Sequence, residues 1–469
     1  EIRHNKKMDK RSCFLILLGI LVCAQIIESS TSLKIHHRPH KWTKAEKNPV
    51  QSRTRSVLSR KSYQSGSTIY MNGGYLTMGA YFTNIYVGRP LQVFDVLIDT
   101  GSSNVGIPGI NCDNCGGEKS PRYDPSKSTS AQAIECSSSA CAVCQPVDLT
   151  GTGSSLITRN SQSSCIFGNP FCYNGISGES LCGYGITYGG GSSAIGGYLL
   201  DDMVCLGEYC AKNSITVITD QYAFDGAFNE TSDHFTGILG LAYPHNACNP
   251  TCIAPLYDVF VSEGLVNNVF GMCLTPTDGG VLDMGFYNSS KFTGDLQWVP
   301  IITQEWYNVG LKDIKVGPLS LGLPEFAYVT TNDVIGAFVD SGTTVILISP
   351  LAFDAFQWVF QNYYCNLPAV CGQTVTIFSN DGCVPKDKIP NLSAFPSIHF
   401  VFDGEDGDVD VAIPPQSYLM DIDDFYCLGI GAVPSVGAVL GDVFMENLYV
   451  VFDRQNNRLG FAPVNNCVN

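Results

Sequence analysis

The sequence predicts a mostly β protein built from two related lobes, and three observations support this fold class. The chain has 469 residues, of which 45% are hydrophobic and 11% aromatic, enough for two packed cores. Short alternating or wholly apolar runs separated by Gly, Asn, Asp and Pro follow residue 71, which is typical of many β-strands. The stretch LIDTGSSN (97–104) also returns as FVDSGTTV (338–345), so a strand that ends in Asp, hydroxyl, Gly, hydroxyl occurs twice.

The amino-terminal segment has the features of a secretory signal. A basic stretch precedes the apolar run CFLILLGILVCA (13–24), the small Ala24 suits cleavage, and Met8 is a candidate start. The run is shorter than the roughly 18 apolar residues of a membrane span, and no later run reaches that length. We therefore expect a signal peptide at 1–24 and no membrane span.

Charge separates the next segment from the rest of the chain. Residues 25–61 contain nine Lys or Arg against two acidic residues, whereas the chain after residue 61 contains 13 basic and 39 acidic residues. Composition alone favours a disordered linker. The alternative, which we adopt, is a propeptide that binds the acidic body until acid releases it. The net charge of −16 argues against nucleic acid or an anionic membrane as partner.

The cysteine count predicts disulfides. Of the 20 cysteines, 18 follow residue 24, an even number in a secretory context, so we expect up to nine disulfides of unknown connectivity. Cys112-x-x-Cys115 and Cys141-x-x-Cys144 also have the pattern of a zinc site. Their separation, the additional Cys136 and the oxidising compartment favour disulfides. Three glycosylation sequons fit the same compartment: Asn229, Asn288 and Asn391.

The body of the chain is internally repeated. LIDTGSS is followed by GILGLAY (237–243), and FVDSGTT is followed by AVLGDVF (438–444). We place the boundary between the lobes at residue 300, which gives an N-terminal lobe at 62–300 and a C-terminal lobe at 301–469. Two segments, APLYDVFVSEGLV (254–266) and SPLAFDAFQWVFQNYYC (349–365), are helix candidates because each carries Pro at its start.

The paired loops indicate acid–base chemistry. If Asp99 and Asp340 face each other across a pseudo-twofold axis, they cannot both ionise easily, because like charges about 3 Å apart leave the pair sharing one proton. One carboxyl is then an acid and the other a base. Gly101 and Gly342 allow a close approach of two backbones that a Cβ would block. Four hydroxyl residues can hydrogen-bond the carboxylates or the opposite loop: Thr100, Ser102, Ser341 and Thr343.

Six ordered stretches make the chain resemble the pepsin family of aspartic endopeptidases over residues 75–464. They are DTGSSN, ITYGGGS, GILGLAYP, QWVP, DSGTT and LGDVFMENLYVVFDRQNNRLGFAPV. The resemblance implies a bilobal pepsin-like acid protease fold with an active-site cleft between the lobes. It also implies that Asp99 and Asp340 activate a water molecule, that Ser102 and Thr343 bond their outer oxygens, and that Thr100 and Ser341 cross-link the loops.

The same resemblance assigns the substrate-binding parts. ITYGGGS (186–192), by its residues alone a Gly-rich turn between strands, corresponds to the family's flap, a hairpin that closes over the substrate. The implied binding residues comprise the flap residues Tyr188, Gly189 and Gly190, Leu97 and Ile238 in the pocket before the cleaved bond, and Phe338 in the pocket after it.

Two features depart from stomach pepsin. The stretches RYDPSKSTS, CSSSAC, CGYGITYGGGS and FGMCL, with the near-terminal Cys467, resemble the cysteine-rich nepenthesin-like proteases and a related protist branch. Pepsins also carry a tryptophan after DTGSSN that hydrogen-bonds the flap tyrosine, whereas this chain has Gly106 there. Tyr188 must then find another partner or move more freely, and we expect a wider or more mobile cleft.

These observations predict an aspartic endopeptidase of the secretory pathway, either secreted or in an acidic vacuole or lysosome, made as a zymogen. We expect it to act on proteins or peptides as a monomer, with no metal or organic cofactor. A catalytically silent pepsin-like binding protein is the alternative, although such proteins usually lack a loop Asp or Gly that is present here. A disulfide-rich adhesion module would explain the cysteines but not the paired loops.

Overall fold

A computed structural model describes residues 66–76, 79–112, 115, 120–141, 172–174, 180–188, 193–222, 236–247, 252–328, 335–379, 382–434 and 436–467. The predicted signal peptide and propeptide, the flap residues Gly189 and Gly190, and the sequon at Asn229 lie outside the described residues.

The first part of the chain folds mainly into strands, as its short apolar runs predict. These strands are β1 (Ser67–Gly74), β2 (Ala80–Val87), β3 (Gln92–Asp99), β4 (Val105–Pro108), β5 (Gln132–Ala133), β6 (Cys172–Asn174), β7 (Ser180–Tyr188), β8 (Ser193–Leu206), β9 (Tyr209–Tyr222), β10 (Gly237–Gly240), β11 (Phe270–Leu274), β12 (Gly280–Met284) and β13 (Gln297–Gln304).

The second part is also mostly β. Its strands are β14 (Tyr307–Val309), β15 (Leu311–Val316), β16 (Leu319–Ser320), β17 (Ile335–Val339), β18 (Ile346–Ile348), β19 (Cys383–Pro385), β20 (Ile398–Gly404), β21 (Gly407–Ile413), β22 (Leu419–Ile422), β23 (Phe425–Leu428), β24 (Ile430–Ala432), β25 (Val436–Leu440), β26 (Leu448–Asp453) and β27 (Arg458–Pro463).

Four α-helices accompany the strands in the described residues: α1 (Leu256–Ser262), α2 (Pro350–Tyr363), α3 (Pro415–Tyr418) and α4 (Asp442–Met445). The first two lie within the predicted helical segments. Pro255 is the N-cap of α1, and Ser349 caps α2 by accepting a hydrogen bond from the backbone N–H of Ala352. None of these helices has the length and hydropathy that would let it cross a membrane.

The register of the strands shows the internal repeat directly. In the first lobe β10 pairs in parallel with β3 and antiparallel with β4, and β4 pairs in parallel with β9. In the second lobe β25 pairs in parallel with β17 and antiparallel with β18, and β18 pairs in parallel with β24. The same four-strand unit is therefore built twice, which confirms the predicted bilobal β fold.

A six-stranded antiparallel sheet connects the two lobes. Its strands follow the order β1, β12, β11, β26, β27, β13, so segments from the beginning, middle and end of the chain alternate in it. The domain boundary placed at residue 300 falls within β13 and stays a prediction. Because this sheet carries both lobes, it fixes the orientation of the two Asp-bearing loops that rise from them.

Disulfides tie the loops of both lobes, as the cysteine count predicts. In the described part of the chain these disulfides include Cys112–Cys115, Cys141–Cys182, Cys205–Cys210, Cys273–Cys467, Cys365–Cys371 and Cys383–Cys427. Cys112 and Cys115 bond each other and Cys141 bonds Cys182, so these cysteines do not form the alternative zinc site.

Candidate active site

The aspartates of the two repeated loops lie at the ends of equivalent strands. Asp99 is the last residue of β3, and Asp340 follows β17, so both carboxyls project from the point where a buried strand meets a loop. Asp99 is 4% exposed and Asp340 is 9% exposed. The two loops lie against each other, so that a Cβ on either loop glycine would collide with the carboxyl of the opposite loop.

Hydroxyl groups hold the carboxyls in the same way in both loops. The Ser102 hydroxyl donates a hydrogen bond to Oδ2 of Asp99, and the Thr343 hydroxyl donates one to Oδ2 of Asp340 at 2.6 Å. Each bond runs from a residue three positions after its aspartate. The two Oδ2 atoms are thus engaged within their own loops, and this fixes the side-chain orientation of both aspartates.

The loop glycines contact the other loop's carboxyl. The backbone N–H of Gly101 donates to Oδ1 of Asp99 at 2.7 Å, and that of Gly342 donates to Oδ1 of Asp340 at 2.8 Å. A Cβ on Gly101 would lie 2.5 Å from Oδ1 of Asp340, and a Cβ on Gly342 would lie 2.4 Å from Oδ1 of Asp99. The close approach expected from the sequence is therefore between a glycine and a carboxylate rather than between two backbones.

Thr100 and Ser341 connect the loops by reciprocal hydrogen bonds. The backbone N–H of Thr100 donates to the Ser341 hydroxyl at 3.1 Å, and the backbone N–H of Ser341 donates to the Thr100 hydroxyl at 2.9 Å. The two hydroxyls in turn donate to the carbonyls of Val339 and Ile98 across the interface. All four bonds are buried, so they hold the loops in one relative position.

Burial and mutual charge change the acidity of the pair. Burial, followed by the negative charge of Asp340, raises the pKa of Asp99 well above its usual range, while the hydrogen bonds from Ser102 and the Gly101 N–H lower it. A carboxyl with a raised pKa keeps its proton in conditions where an exposed aspartate is ionised. The site can therefore present a carboxylic acid beside a second carboxyl, which is the combination that acid–base catalysis needs.

Tyr188 lies at the end of β7 in a small apolar cluster. The cluster also contains Leu97 and Ile238, which are register neighbours on the parallel strands β3 and β10. Three of the predicted substrate-binding residues are thus brought together. Burial and the charge of Asp99 raise the pKa of Tyr188, and an interaction with the Ser102 hydroxyl lowers it. Tyr188 is 8% exposed, so its ring lies within this cluster.

Three isoleucines occupy the space beside Gly106. A Cβ on Gly106 would lie 3.2 Å from Ile195, 3.3 Å from Ile238 and 3.4 Å from Ile218. These side chains are at most 3% exposed and belong to the cluster around Tyr188. Sequence reasoning missed Ile195 and Ile218, because they lie on β8 and β9, far along the chain from Gly106. Tyr188 therefore lies in a packed apolar cluster, and the expected mobility of the cleft stays a prediction.

Phe338 lies in the second lobe, on β17, two residues before Asp340. It is 7% exposed on β17, and its ring packs against Trp306 with the ring centroids 5.7 Å apart. Trp306 was not among the predicted site residues. Its position directly before β14, which pairs with β17, could have indicated the contact.

Two further carboxyls near the dyad were also missed. Asp442 and Glu446 lie in and just after α4, are 0% and 8% exposed, and have raised pKa values. The internal repeat contained a signal for Asp442. In GILGLAY the residue after the second glycine is Leu241, whereas in AVLGDVF the equivalent residue is Asp442.

Comparisons with known proteins agree with this geometry. A model described as eukaryotic aspartyl protease matches residues 80–140 and 158–464. The chain belongs to the eukaryotic aspartyl protease family. Cathepsin E of Aquarana catesbeiana is 30% identical over 439 residues, which cover 91% of this chain and 88% of that protein. Gastricsin of Homo sapiens is 26% identical over 465 residues, which cover 95% of this chain and 98% of gastricsin.

A plant protein is similar as well. The Arabidopsis thaliana protein ASPARTIC PROTEASE IN GUARD CELL 2 is 26% identical over 445 residues, which cover 91% of this chain and 83% of the plant protein. This aspartyl protease is an aspartic endopeptidase, and proteins or peptides are its substrates. The cysteine-rich, nepenthesin-like subtype stays a prediction.

Proposed function

We propose that the protease hydrolyses peptide bonds with Asp99 and Asp340 as its catalytic pair. The observation that carries this proposal is the reciprocal geometry of the two loops, in which each glycine contacts the opposite carboxyl. Both aspartates and both loop glycines are present, so nothing favours a catalytically silent binding protein.

The pair would act on a water molecule bound between the carboxyls. The ionised carboxyl takes a proton from the water, the water oxygen attacks the peptide carbonyl carbon, and the other carboxyl gives its proton to the carbonyl oxygen. The tetrahedral intermediate then collapses: the carboxyl that took the water proton gives it to the nitrogen, the other carboxyl takes a proton from a hydroxyl of the intermediate, and the C–N bond breaks, which releases the amine and the carboxylic acid. The buried hydrogen bonds around Thr100 and Ser341 keep the carboxyls in place during both proton transfers.

Apolar side chains flank this pair on both sides. The cluster of Tyr188, Leu97 and Ile238 would receive the residue before the cleaved bond, and Phe338, supported by Trp306, the residue after it. The predicted flap, with Tyr188, Gly189 and Gly190, would close over the substrate and exclude water. The preferred substrates are therefore chains with bulky apolar residues around the cleaved bond, and the enzyme would act as a monomer without a metal or organic cofactor.

We also propose that the protein is a secretory zymogen that becomes active in acid. The predicted signal at 1–24 and propeptide at 25–61 support this, as does the disulfide-rich body. Cleavage should fall before Gly66, because β1 begins at Ser67 and pairs with β12 in the sheet that joins the lobes. The destination would be the outside or an acidic vacuole or lysosome.

Single substitutions of the pair test the catalytic proposal. Asp99→Asn and Asp340→Asn should each abolish hydrolysis of denatured globin at pH 3 to 6, because either one removes the acid–base asymmetry. Circular dichroism and thermal unfolding check that the variants are folded. A well-folded variant that keeps more than a few per cent of the activity, in an assay without contaminating protease, contradicts the assignment.

A further inference from the structure

Asp442 lies directly behind the loop that carries Asp340. Its backbone N–H donates to the carbonyl of Thr343 at 2.8 Å, and the preceding Gly441 packs against the Thr343 and Val345 carbonyls so closely that a Cβ would approach them to 2.2 and 2.4 Å. The Asp442 side chain is fully buried, and neither carboxyl oxygen has a hydrogen-bond partner among the described residues. The fold therefore fixes an unpaired carboxyl beside the catalytic pair.

Glu446 lies one helical turn after Asp442 and is hydrogen-bonded. Asn447 donates from Nδ2 to Oε1 of Glu446 at 3.1 Å, whereas Oε2 has no hydrogen-bond partner among the described residues, and the nearby hydroxyls of Ser417 and Tyr75 lower the pKa of this carboxyl. Hydrogen-bond donors stabilise the ionised form of a carboxyl. Glu446 has such donors and Asp442 has none, so Glu446 ionises first as the pH rises.

Within the part of the chain that the structure describes, no positive charge contributes to the pKa of either carboxyl. Burial, then the charges of Asp340, Glu446 and Asp99, raise the pKa of Asp442 well above its usual range. Burial also raises the pKa of Glu446, and only its hydrogen bonds oppose that shift. A negative charge on Glu446 consequently makes ionisation of Asp442 still more unfavourable.

The other titratable groups around α4 are engaged with different partners. On the neighbouring β1–β2 segment Tyr75 bonds Glu446 and Tyr81 bonds the Thr275 carbonyl. The remaining groups lie on α3 and β26, with Tyr418 bonded to the Pro396 carbonyl, Tyr449 to Asp283 and Asp453 to Arg458. On β22 the exposed Asp421 is paired with Lys386. Cys273 of β11 is in a disulfide, and β18 and β25 carry no titratable side chain.

We propose that Glu446 is a positioning residue whose negative charge keeps Asp442 in its neutral form, so that no carboxylate forms on Asp442 directly beside the Asp99–Asp340 pair. The reason is the electrostatic repulsion between an ionised Asp442 and an ionised catalytic pair. If Asp442 ionises, the catalytic pair must take up a proton to limit repulsion, and it then lacks the carboxylate that activates water. This inference rests on the proposed catalytic role of the pair.

The test is the pH profile of kcat/KM on a peptide substrate for four variants: Glu446→Gln, Asp442→Asn, the double variant, and Glu263→Gln as a control for an exposed carboxyl. Without the Glu446 charge, Asp442 loses its proton more readily, so Glu446→Gln should move the loss of activity at higher pH downward by about half a pH unit or more. Asp442→Asn, which resembles the neutral acid, should keep at least a tenth of the activity at acid pH. The control should match the wild type.

The double variant shows whether Glu446 acts on the catalytic pair through Asp442 or by another route. Because Glu446 is inferred to act through Asp442, adding Glu446→Gln to Asp442→Asn should produce no further shift. An equal shift in both backgrounds, no shift with Glu446→Gln, or a folded but inactive Asp442→Asn would each overturn the inference.

A second measurement does not depend on catalysis. In an inactive Asp99→Asn background, Asp442→Asn should reduce the fall in melting temperature between pH 4 and pH 7, because above about pH 4 the unfolded chain releases the Asp442 proton that the folded state retains. An unchanged fall would refute the inference even if the catalytic proposal holds. If instead Asp99→Asn is active, the catalytic proposal fails while this thermal comparison still reports on Asp442.

Discussion

The Cβ position of Gly342 lies 2.4 Å from Oδ1 of Asp99, a residue of the other lobe. The reciprocal contact, between Gly101 and Asp340, has nearly the same length. No side-chain carbon fits at such a distance from an oxygen, so each lobe's glycine sets how closely the other lobe's carboxyl can approach. The separation of the two acids is therefore controlled by the absence of two β-carbons.

Gly342→Ala should lower kcat/KM at least about a hundredfold, because the new methyl group displaces the Asp99 carboxyl and small displacements of catalytic groups cost about that much. Gly310→Ala is the matched control, since a Cβ there meets only the Asp403 side chain at 3.3 Å. Both variants should fold, as judged by thermal unfolding. Near-normal activity of Gly342→Ala would mean that the loops can separate without loss of function.

Gly106→Trp should not restore a pepsin-like flap contact. The three isoleucines that pack against Gly106 occupy the space that an indole would need. Overpacking a buried site typically lowers the free energy of unfolding by about 1 to 3 kcal/mol. We expect a lower melting temperature and no tighter binding of pepstatin. Tighter binding at unchanged stability, measured by inhibition and calorimetry, would show that this space adapts to the larger ring.

The stability of the protein should fall as the pH rises from about 4 towards neutrality. Burial raises the pKa of Asp95 to about 6, and the pKa values of Asp99 and Asp442 are raised further above their usual range. The folded state then binds more protons than the unfolded state, in which these groups titrate near pH 4. The contribution of these three carboxyls to the free energy of unfolding is complete below about pH 4 and declines above that pH. Urea unfolding at pH 4, 5, 6 and 7 measures this trend, and Asp95→Asn should flatten it between pH 4 and 6.

Lys291 should matter for the stability of the sheet that joins the lobes. It is 5% exposed and bonds both oxygens of the fully buried Asp283 at 2.7 and 2.9 Å. Lys291→Met leaves that carboxylate without its positive partner, which typically costs about 3 to 5 kcal/mol. Lys312→Met, which removes an exposed ion pair with Asp408, is the control and should change the melting temperature little. An equal fall in melting temperature for Lys291→Met and Lys312→Met would contradict the view that the buried ion pair stabilises the protein more than the exposed one.

Much of the fold could be predicted because its signals are local. The apolar runs ending in DTGSS and DSGTT, the proline-initiated helices α1 and α2, and the echo between GILGLAY and AVLGDVF are each contained in a few consecutive residues. Strand periodicity, helix capping and turn chemistry act over that same short range. The even cysteine count likewise predicted disulfides, although it could not say that Cys112 pairs with Cys115 and Cys273 with Cys467.

Contacts between distant segments could not be predicted in this way. The packing of Ile195 and Ile218 against Gly106, the interaction of Tyr188 with Ser102 and the contact of Trp306 with Phe338 each join strands that are far apart in sequence. Their positions follow from strand register and sheet order, which depend on the whole core. For this reason the sequence showed the missing tryptophan but not the isoleucine side chains that pack beside Gly106.

The sequence by itself determined the chemistry: two Asp-hydroxyl-Gly-hydroxyl loops, their supporting strands and the two-lobed β architecture. The tertiary structure alone decided the environment of that chemistry, including the Gly–carboxyl contacts between the lobes and the burial of Asp442 and Glu446 behind the Asp340 loop. The physical reason is that residue type fixes which protons and hydrogen bonds a side chain can offer. Burial and neighbouring charges, which only the folded chain creates, determine the pH range in which that side chain offers them.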